Sequence, residues 1–211
     1  MTNEPSYRRL LWILALIGVT VDIGSKYIAF RNLDTDANGQ HVSQSGQGEK
    51  DVFPGKFKFI VQFTPNSIEA STWRGPLQSW NGPTMPRVNH GALFGLGNTG
   101  LTTSNGMFMA ISVVAAVVIA IWSIRGSSTT DRILCCALGL ILGGTLGNLF
   151  DRIVFHGVRD FMYFYWFEWP VFNFADCCLV CGAGLLVIQA IWPTKAKTDQ
   201  QQPPMKMVAA L

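Results

Sequence analysis

Hydrophobic residues gather in four long blocks, residues 10–30, 107–124, 133–150 and 171–192, with more polar stretches between them. Each block is close to the ~20 residues a helix needs to cross a ~30 Å hydrocarbon core. A soluble bundle could bury such helices only if each kept a polar face, and block 107–124 has almost none. The pattern predicts an all-α integral membrane protein, residues 1–211 forming a single domain with four transmembrane helices. Residues 31–106 form an insertion between the first two. Within it, 56–64 (K-F-K-F-I-V-Q-F-T) alternates lysine and phenylalanine before an apolar pair and reads as an edge strand with one wet face. Residues 34–51, rich in Gly, Ser, Gln and Asn, read as flexible. Residues 65–87, with four prolines and two tryptophans, read as a loop on the membrane surface or on the strand, and 88–95 resumes an apolar character. Together these predict a small extracytoplasmic β/loop subdomain between helices 1 and 2.

Composition supports the membrane reading. Of 211 residues, 49% are hydrophobic and 14% charged, against ~25% charged in ordinary soluble domains. The net charge of +3 says less than its distribution. Arg8 and Arg9 precede the first block, Arg125 and Arg132 bracket the second link, and Lys195 and Lys197 follow the fourth block. Alternating spans put all three segments on one side, which the positive-inside rule makes cytoplasmic. Both termini are then inside, and 31–106 and 151–170 face out. Asp22 and Lys26 interrupt the first apolar run and no small-x-small cleavage site follows, so the first span reads as uncleaved. No basic patch interleaved with aromatics suggests nucleic acid. Cys135, Cys136, Cys177, Cys178 and Cys181 all lie inside the blocks, where cysteine acts as a small hydrophobe. No histidine neighbours them to suggest a metal site, and neither a metal nor an organic cofactor is implied.

Polar residues nevertheless sit within or beside these blocks, and carboxylates at membrane depth cost roughly 2.5–3.5 kcal/mol each on insertion scales. Asp22 and Lys26 are four apart near the outer end of the first span, so they share a helix face. The third span ends at Asn148 and Asp151, the fourth begins near Asn173 and Asp176, and Asn89 and Gly91 enter ahead of the second. Topology therefore brings these groups to one layer. Each also has a structural explanation. Asp22–Lys26 is equally readable as an interfacial ion pair, Asn148 and Asn173 as helix glue, and Arg152 as a snorkelling cation. Asp160 would serve as a solvated loop acid and Asp176 as a helix-start charge. Gly143, Gly144 and Gly147 form a small-residue face for helix packing.

Taken as ordered blocks, these residues resemble a family. G-G-T-L-G-N-L-F-D-R (143–152), G-V-R-D-F (157–161) and F-N-F-A-D (172–176) are similar to the signature blocks of the bacterial lipoprotein (type II) signal peptidase. The first span adds D-x-x-x-K at Asp22 and Lys26, and V-N-H-G-A-L-F-G (88–95) resembles that family's N-x-G-x-A-F-G block. The resemblance implies an intramembrane aspartic endopeptidase of the bacterial inner membrane. It would cleave prolipoproteins before a diacylglyceryl-modified cysteine. It also implies catalytic roles for Asp160 and Asp176. Supporting or substrate-binding roles fall on Asp22, Lys26, Asn89, Gly91, Asn148, Asp151, Arg152 and Asn173. Three departures stand out. Arg159 occupies a usually aliphatic position and is expected to depress the pKa of Asp160. Leu93 stands where a small residue is usual, and the stretch 31–87 is unusually long.

Two close carboxyls can activate water and protonate a leaving nitrogen if one is ionised and the other protonated. Asn148 and Asn173 are expected to orient the carboxylates or hold substrate backbone. The pairs Asp22–Lys26 and Asp151–Arg152 would brace the site, and strand 56–64 would clamp the substrate by strand addition. The expected partners are diacylglyceryl-modified prolipoproteins and membrane lipids, with a monomeric enzyme. Competing readings are an inactive lipoprotein-binding scaffold, a small proton or ion transporter, and a cysteine peptidase on Cys177 or Cys178. The transporter fits poorly because the acids cluster near one surface. His41, His90 and His156 show no motif tying them to the thiols.

Overall fold

In the computed structural model, which describes residues 6–33, 46–64, 85–91, 101–125 and 129–192, the apolar blocks are helices. They are α1 (Arg8–Asn32), α2 (Leu101–Ile124), α3 (Arg132–Phe155) and α4 (Phe174–Ile191). All four contain a stretch long and apolar enough to cross a membrane. Leu93, His41, Lys195 and Lys197 lie outside the described residues, as does most of the loop 65–87.

Helix ends follow local stop signals rather than the edges of the apolar blocks. α3 continues to Phe155, so Asp151 and Arg152 are helical instead of loop residues. It ends at His156, whose φ of 60° is the left-handed conformation that closes many helices. α4 begins only at Phe174, because Asn173 caps it. The Asn173 side chain accepts from the Asp176 N–H, and the Asp176 side chain accepts from the Asn173 N–H.

α3 is the central helix, packed against α1, α2 and α4. Its glycines permit this. A Cβ on Gly143 would lie 3.0 Å from the Ala15 carbonyl oxygen of α1, and one on Gly144 would lie 2.4 Å from that of Ala175 in α4. The small-residue face thus brings backbones into contact, as in membrane helix pairs. α2 is peripheral, and Ile111, Val114, Val118 and Ile121 stand exposed on it. At one end of the bundle Leu11, Ala15, Ile119, Cys135 and Leu142 form a buried cluster, where Cys135 is packing material. All five cysteines are free thiols.

At the other end lies a small antiparallel sheet of β1 (Gln47–Phe53), β2 (Phe57–Thr64), β3 (Met85–Pro86) and β4 (Met162–Phe164). The first three strands fall between α1 and α2 in sequence, but β4 comes from the α3–α4 connection, so two separate segments build the sheet. β2 is not the expected edge strand. β1 pairs along one side of it, while β4 and β3 take the other. With both edges occupied, β2 cannot clamp a substrate by strand addition. Its partners gave no strand signal, which is why the sequence pattern placed it at an edge. β1 falls partly in the stretch read as flexible. Only Gly48 is buried on it, and a Cβ there would sit 2.0 Å from the Leu33 carbonyl oxygen. A close backbone approach, rather than alternating side chains, seats this strand. The sheet packs on the end of α1 through Ala29, Phe30, Val61, Phe63 and Phe161. The Phe30 and Phe63 rings meet edge to face at 5.9 Å, each buried ring being worth about 1.5–3 kcal/mol.

Candidate active site

Where α1 and α3 end and α4 begins, buried charges alternate in sign. Lys26 donates to Asp22 Oδ2 at 2.7 Å, with Asp151 Oδ2 at 3.3 Å and Asn148 Oδ1 at 3.2 Å. The helical i, i+4 spacing makes the first contact, and packing of α1 on α3 makes the others. Asp22 Oδ1 accepts from the Ala175 N–H at 2.8 Å, which satisfies a donor in the first turn of α4. Asp151 is held on both oxygens by Arg159. Nη2 donates at 2.7 Å to Oδ1, and the backbone N–H donates at 2.9 Å to Oδ2. Asp22, Lys26, Asp151 and Arg159 are fully buried. A buried charge is tolerated only when paired and hydrogen-bonded. The four charges are paired among themselves, with Ala175 and Asn148 adding further bonds.

Two asparagines connect this cluster to the acids singled out in the sequence. Asn148 accepts from Lys26, and its Nδ2 donates to Asp176 Oδ1 at 2.9 Å. Asn173 Nδ2 donates to Asp160 Oδ1 at 2.7 Å and to Asn148 Oδ1 at 3.1 Å. The Asn173 backbone N–H donates to Asp176 Oδ2 at 3.1 Å. One residue therefore touches both carboxyls. Asn89 Nδ2 donates to the other Asp160 oxygen at 3.0 Å, and its own Oδ1 accepts from Gly91 N–H at 2.9 Å. Gly91 has φ 94°, and a Cβ there would lie 2.2 Å from the Phe108 ring. That ring faces the Arg152 guanidinium at 5.2 Å. Asp160 and Asp176 are half-buried. The Asp160 carboxyl is pushed up to about 7, first by burial and then by the charge of Asp176, against the opposing pull of Asn89, Asn173 and Lys26.

Every predicted site residue in α1, α3, α4 and the 88–91 segment reaches this cluster, but two expectations about pairing fail. Asp151 does not pair with Arg152. Successive helical residues point about 100° apart, so Arg152 instead donates to the Asn148 carbonyl at 3.3 Å. Nor does Arg159 lower the pKa of Asp160. The segment is extended between the bridges Asn89↔Val158 and Met162↔Phe172. Neighbouring side chains then point to opposite sides. Arg159 turns inward between the rings of Tyr27 and Phe155, at 4.4 and 4.0 Å, while Asp160 faces the asparagines. Sequence reasoning missed Arg159 as the partner of Asp151, and also Asn105, whose Nδ2 donates to the Arg152 carbonyl at 3.4 Å. The signal for Arg159 was available, as a cation next to a site acid in an extended segment. Among the described residues, no cluster of three or more His, Cys, Asp or Glu is arranged to hold a metal.

The family model of signal peptidase (SPase) II matches residues 14–192. The chain belongs to the signal peptidase II family. Among curated relatives, the lipoprotein signal peptidase of Alteromonas mediterranea is 38% identical over 114 residues, covering 53% of this chain and 62% of that protein. That of Nitratidesulfovibrio vulgaris is 43% identical over 103 residues, covering 47% of this chain and 61% of that one. The chain thus spans about three fifths of the length of these relatives. A bacterial membrane enzyme solved in meso at 1.9 Å shares the fold, with TM-score 0.63 and 20% identity, covering 92% of this chain and 100% of that one. Another, solved at 2.3 Å, gives TM-score 0.65 at 20% identity over 96% of this chain and 100% of that one. As a signal peptidase II family member with four helices apolar enough to span, it is a multi-pass membrane protein.

Proposed function

We propose that this protein is an intramembrane aspartic endopeptidase that removes signal peptides from prolipoproteins, cutting before a diacylglyceryl-modified cysteine. The supporting observation is that Asn173 holds Asp160 and Asp176 together at one end of an otherwise apolar bundle. Family membership supports the substrate class. In the reaction a water lies between the carboxyls. Asp176, ionised, takes a proton as the water oxygen attacks the scissile carbonyl carbon. Asp160, protonated near neutral pH, gives its proton to the leaving nitrogen as the C–N bond breaks. Each acid ends in the other's starting state, and proton exchange with water resets them. Asn148 and Asn173 keep the carboxyls in register, which preorganises the pair before substrate arrives. Asn89, Gly91 and Arg152 line the approach, while Asp22, Lys26 and Asp151 brace it from beneath.

In this reading the enzyme acts as a monomer in the bacterial inner membrane. Both termini are cytoplasmic and the acids lie near the outer face. The substrate helix enters from lipid with its acyl chains still in the bilayer. The test is cleavage of a diacylated precursor peptide by purified protein, compared with the same peptide unlipidated. Asp160→Asn and Asp176→Asn should each abolish cleavage while the protein remains folded. Processing by both variants would defeat the proposal.

A further inference from the structure

Arg159 is an expensive residue to keep. It is fully buried and clasped between two aromatic rings, and among the described residues its Nη1 has no hydrogen-bond acceptor. An aliphatic side chain would fill the space without that orphaned donor. The charges around it explain its presence. α1 contributes Asp22 and Lys26, α3 contributes Asp151 and Arg152, the connecting segment contributes Asp160, and α4 contributes Asp176. Asp22, Lys26, Asp151 and Arg159 together sum to zero. Without Arg159 the buried set would be one negative charge in excess, with Lys26 the sole cation serving two carboxylates.

We infer that Arg159 is a positioning residue for the aspartate pair: by occupying Asp151 it leaves part of the Lys26 ammonium to hold Asn148, and Asn148 holds Asp176. Lys26 lies almost equally far from Asn148 Oδ1, 3.2 Å, and from Asp151 Oδ2, 3.3 Å, so the competition between the two is close. Arg159 tips it by meeting Asp151 Oδ1 at 2.7 Å through Nη2 and Oδ2 at 3.2 Å through Nε. An ammonium has donors only, so its contact obliges Asn148 to turn its oxygen toward Lys26 and its NH2 toward Asp176. Loss of Arg159 would draw Lys26 to Asp151. The Asn148 oxygen would then be held by Asn173 Nδ2 alone, and the bond from its NH2 to Asp176 Oδ1 would loosen. This role rests on the peptidase reading above and extends it to a residue outside the acid pair and its asparagines.

The test compares wild type, Arg159→Met, Arg159→Lys and the double variant Arg159→Met/Asp151→Asn on a diacylated precursor peptide in bicelles. Each is measured for kcat and KM across pH, alongside thermal unfolding. Arg159→Met should lower kcat about ten- to a hundredfold through misplacement of reacting groups, with KM changed by less than about twofold. It should also move the alkaline limb of the pH profile upward, since an uncompensated negative charge favours the protonated acid. The double variant removes both charges, returns Lys26 to Asn148 and should recover most of the lost kcat. A merely structural arginine would move stability without moving the limb, and the double variant would be no better than the single one. Either result overturns the inference. If Arg159→Met does not fold, Arg159→Lys decides. Lysine keeps the charge but not the forked contact with Asp151, so a lowered kcat at unchanged KM with the limb in place supports the role, and an unchanged kcat overturns it. A wild-type protein that cleaves no lipidated peptide defeats the peptidase reading instead, before any variant is compared.

Discussion

The proton on Asp160 is the most exposed consequence of this geometry. Free aspartate titrates near ~3.9, whereas burial and the charge of Asp176 push Asp160 up to about 7. In the proposed reaction its protonated form supplies the proton for the leaving nitrogen, so kcat/KM should fall through a single ionisation as pH rises past about 7. Asn89 opposes that shift, because its Nδ2 donates to Asp160 Oδ2 at 3.0 Å and a donor favours the ionised carboxylate. Hydrogen bonds to charged groups are worth about 1.5–3 kcal/mol. Asn89 is exposed, so water replaces part of its bond and about 1 kcal/mol is the better figure. At about 1.36 kcal/mol per pH unit, Asn89→Leu should move the alkaline limb upward by somewhat less than one unit. The sign is definite: removing a group that stabilises the anion lets the carboxyl keep its proton to higher pH. The assay is the pH dependence of kcat/KM on a diacylated peptide, with infrared titration of the protonated carboxyl as a readout independent of turnover. A loss of activity alone would not bear on the argument, since Asn89 lies in the site. A limb that stays in place or moves down would refute it, as would a wild-type profile flat from pH 6 to 9.

Two further outcomes follow from the buried charges. Lys26→Met leaves Asp22 with a single backbone donor and removes one cation from Asp151, so the fold should lose about 3–5 kcal/mol, read as earlier thermal unfolding in detergent. Gly147→Ala places a Cβ 2.5 Å from Asp22 Oδ2. It should cost about 1–3 kcal/mol as an overpacking change and lower cleavage by displacing Asp22, whereas Gly24→Ala, with nothing within 4 Å of the added carbon, should leave both unchanged.

The helices and most of the polar cluster were legible because each rests on a local rule. Twenty apolar residues need a membrane, and Asp22 and Lys26 four apart must share a face. Alternating spans must bring Asn148 and Asn173 to the same end. What stayed hidden depended on tertiary contact. β1 is seated by one glycine against Leu33, and no periodicity announces that. β4 enters the sheet from a distant connection, so the alternating stretch that becomes β2 looked like an edge. Asp151 and Arg152 looked like partners because they adjoin, yet adjacency in a helix separates side chains. Arg159 looked like a neighbour of Asp160, yet an extended backbone turns the two apart. In both cases the residue reaches the cluster with a different partner from the one expected, since partner choice needs the direction of each side chain.

Exposure divides the polar cluster in a way that bears on function. Asp22, Lys26, Asp151, Arg159 and Asn173 are all at 0% exposure, while Asp160 and Asp176 are half-buried. Bracing charges gain from dryness, because their mutual attraction strengthens as water is excluded. The proposed hydrolytic pair needs the opposite, since its reagent is water. The Asn173 side chain and the capping turn of α4 lie at that boundary, bonded inward to Asn148 and outward to Asp160. A capping box is ordinarily a device for starting a helix. Here the same turn holds two acids near each other, so the rigidity that starts α4 also fixes the geometry of the proposed reaction.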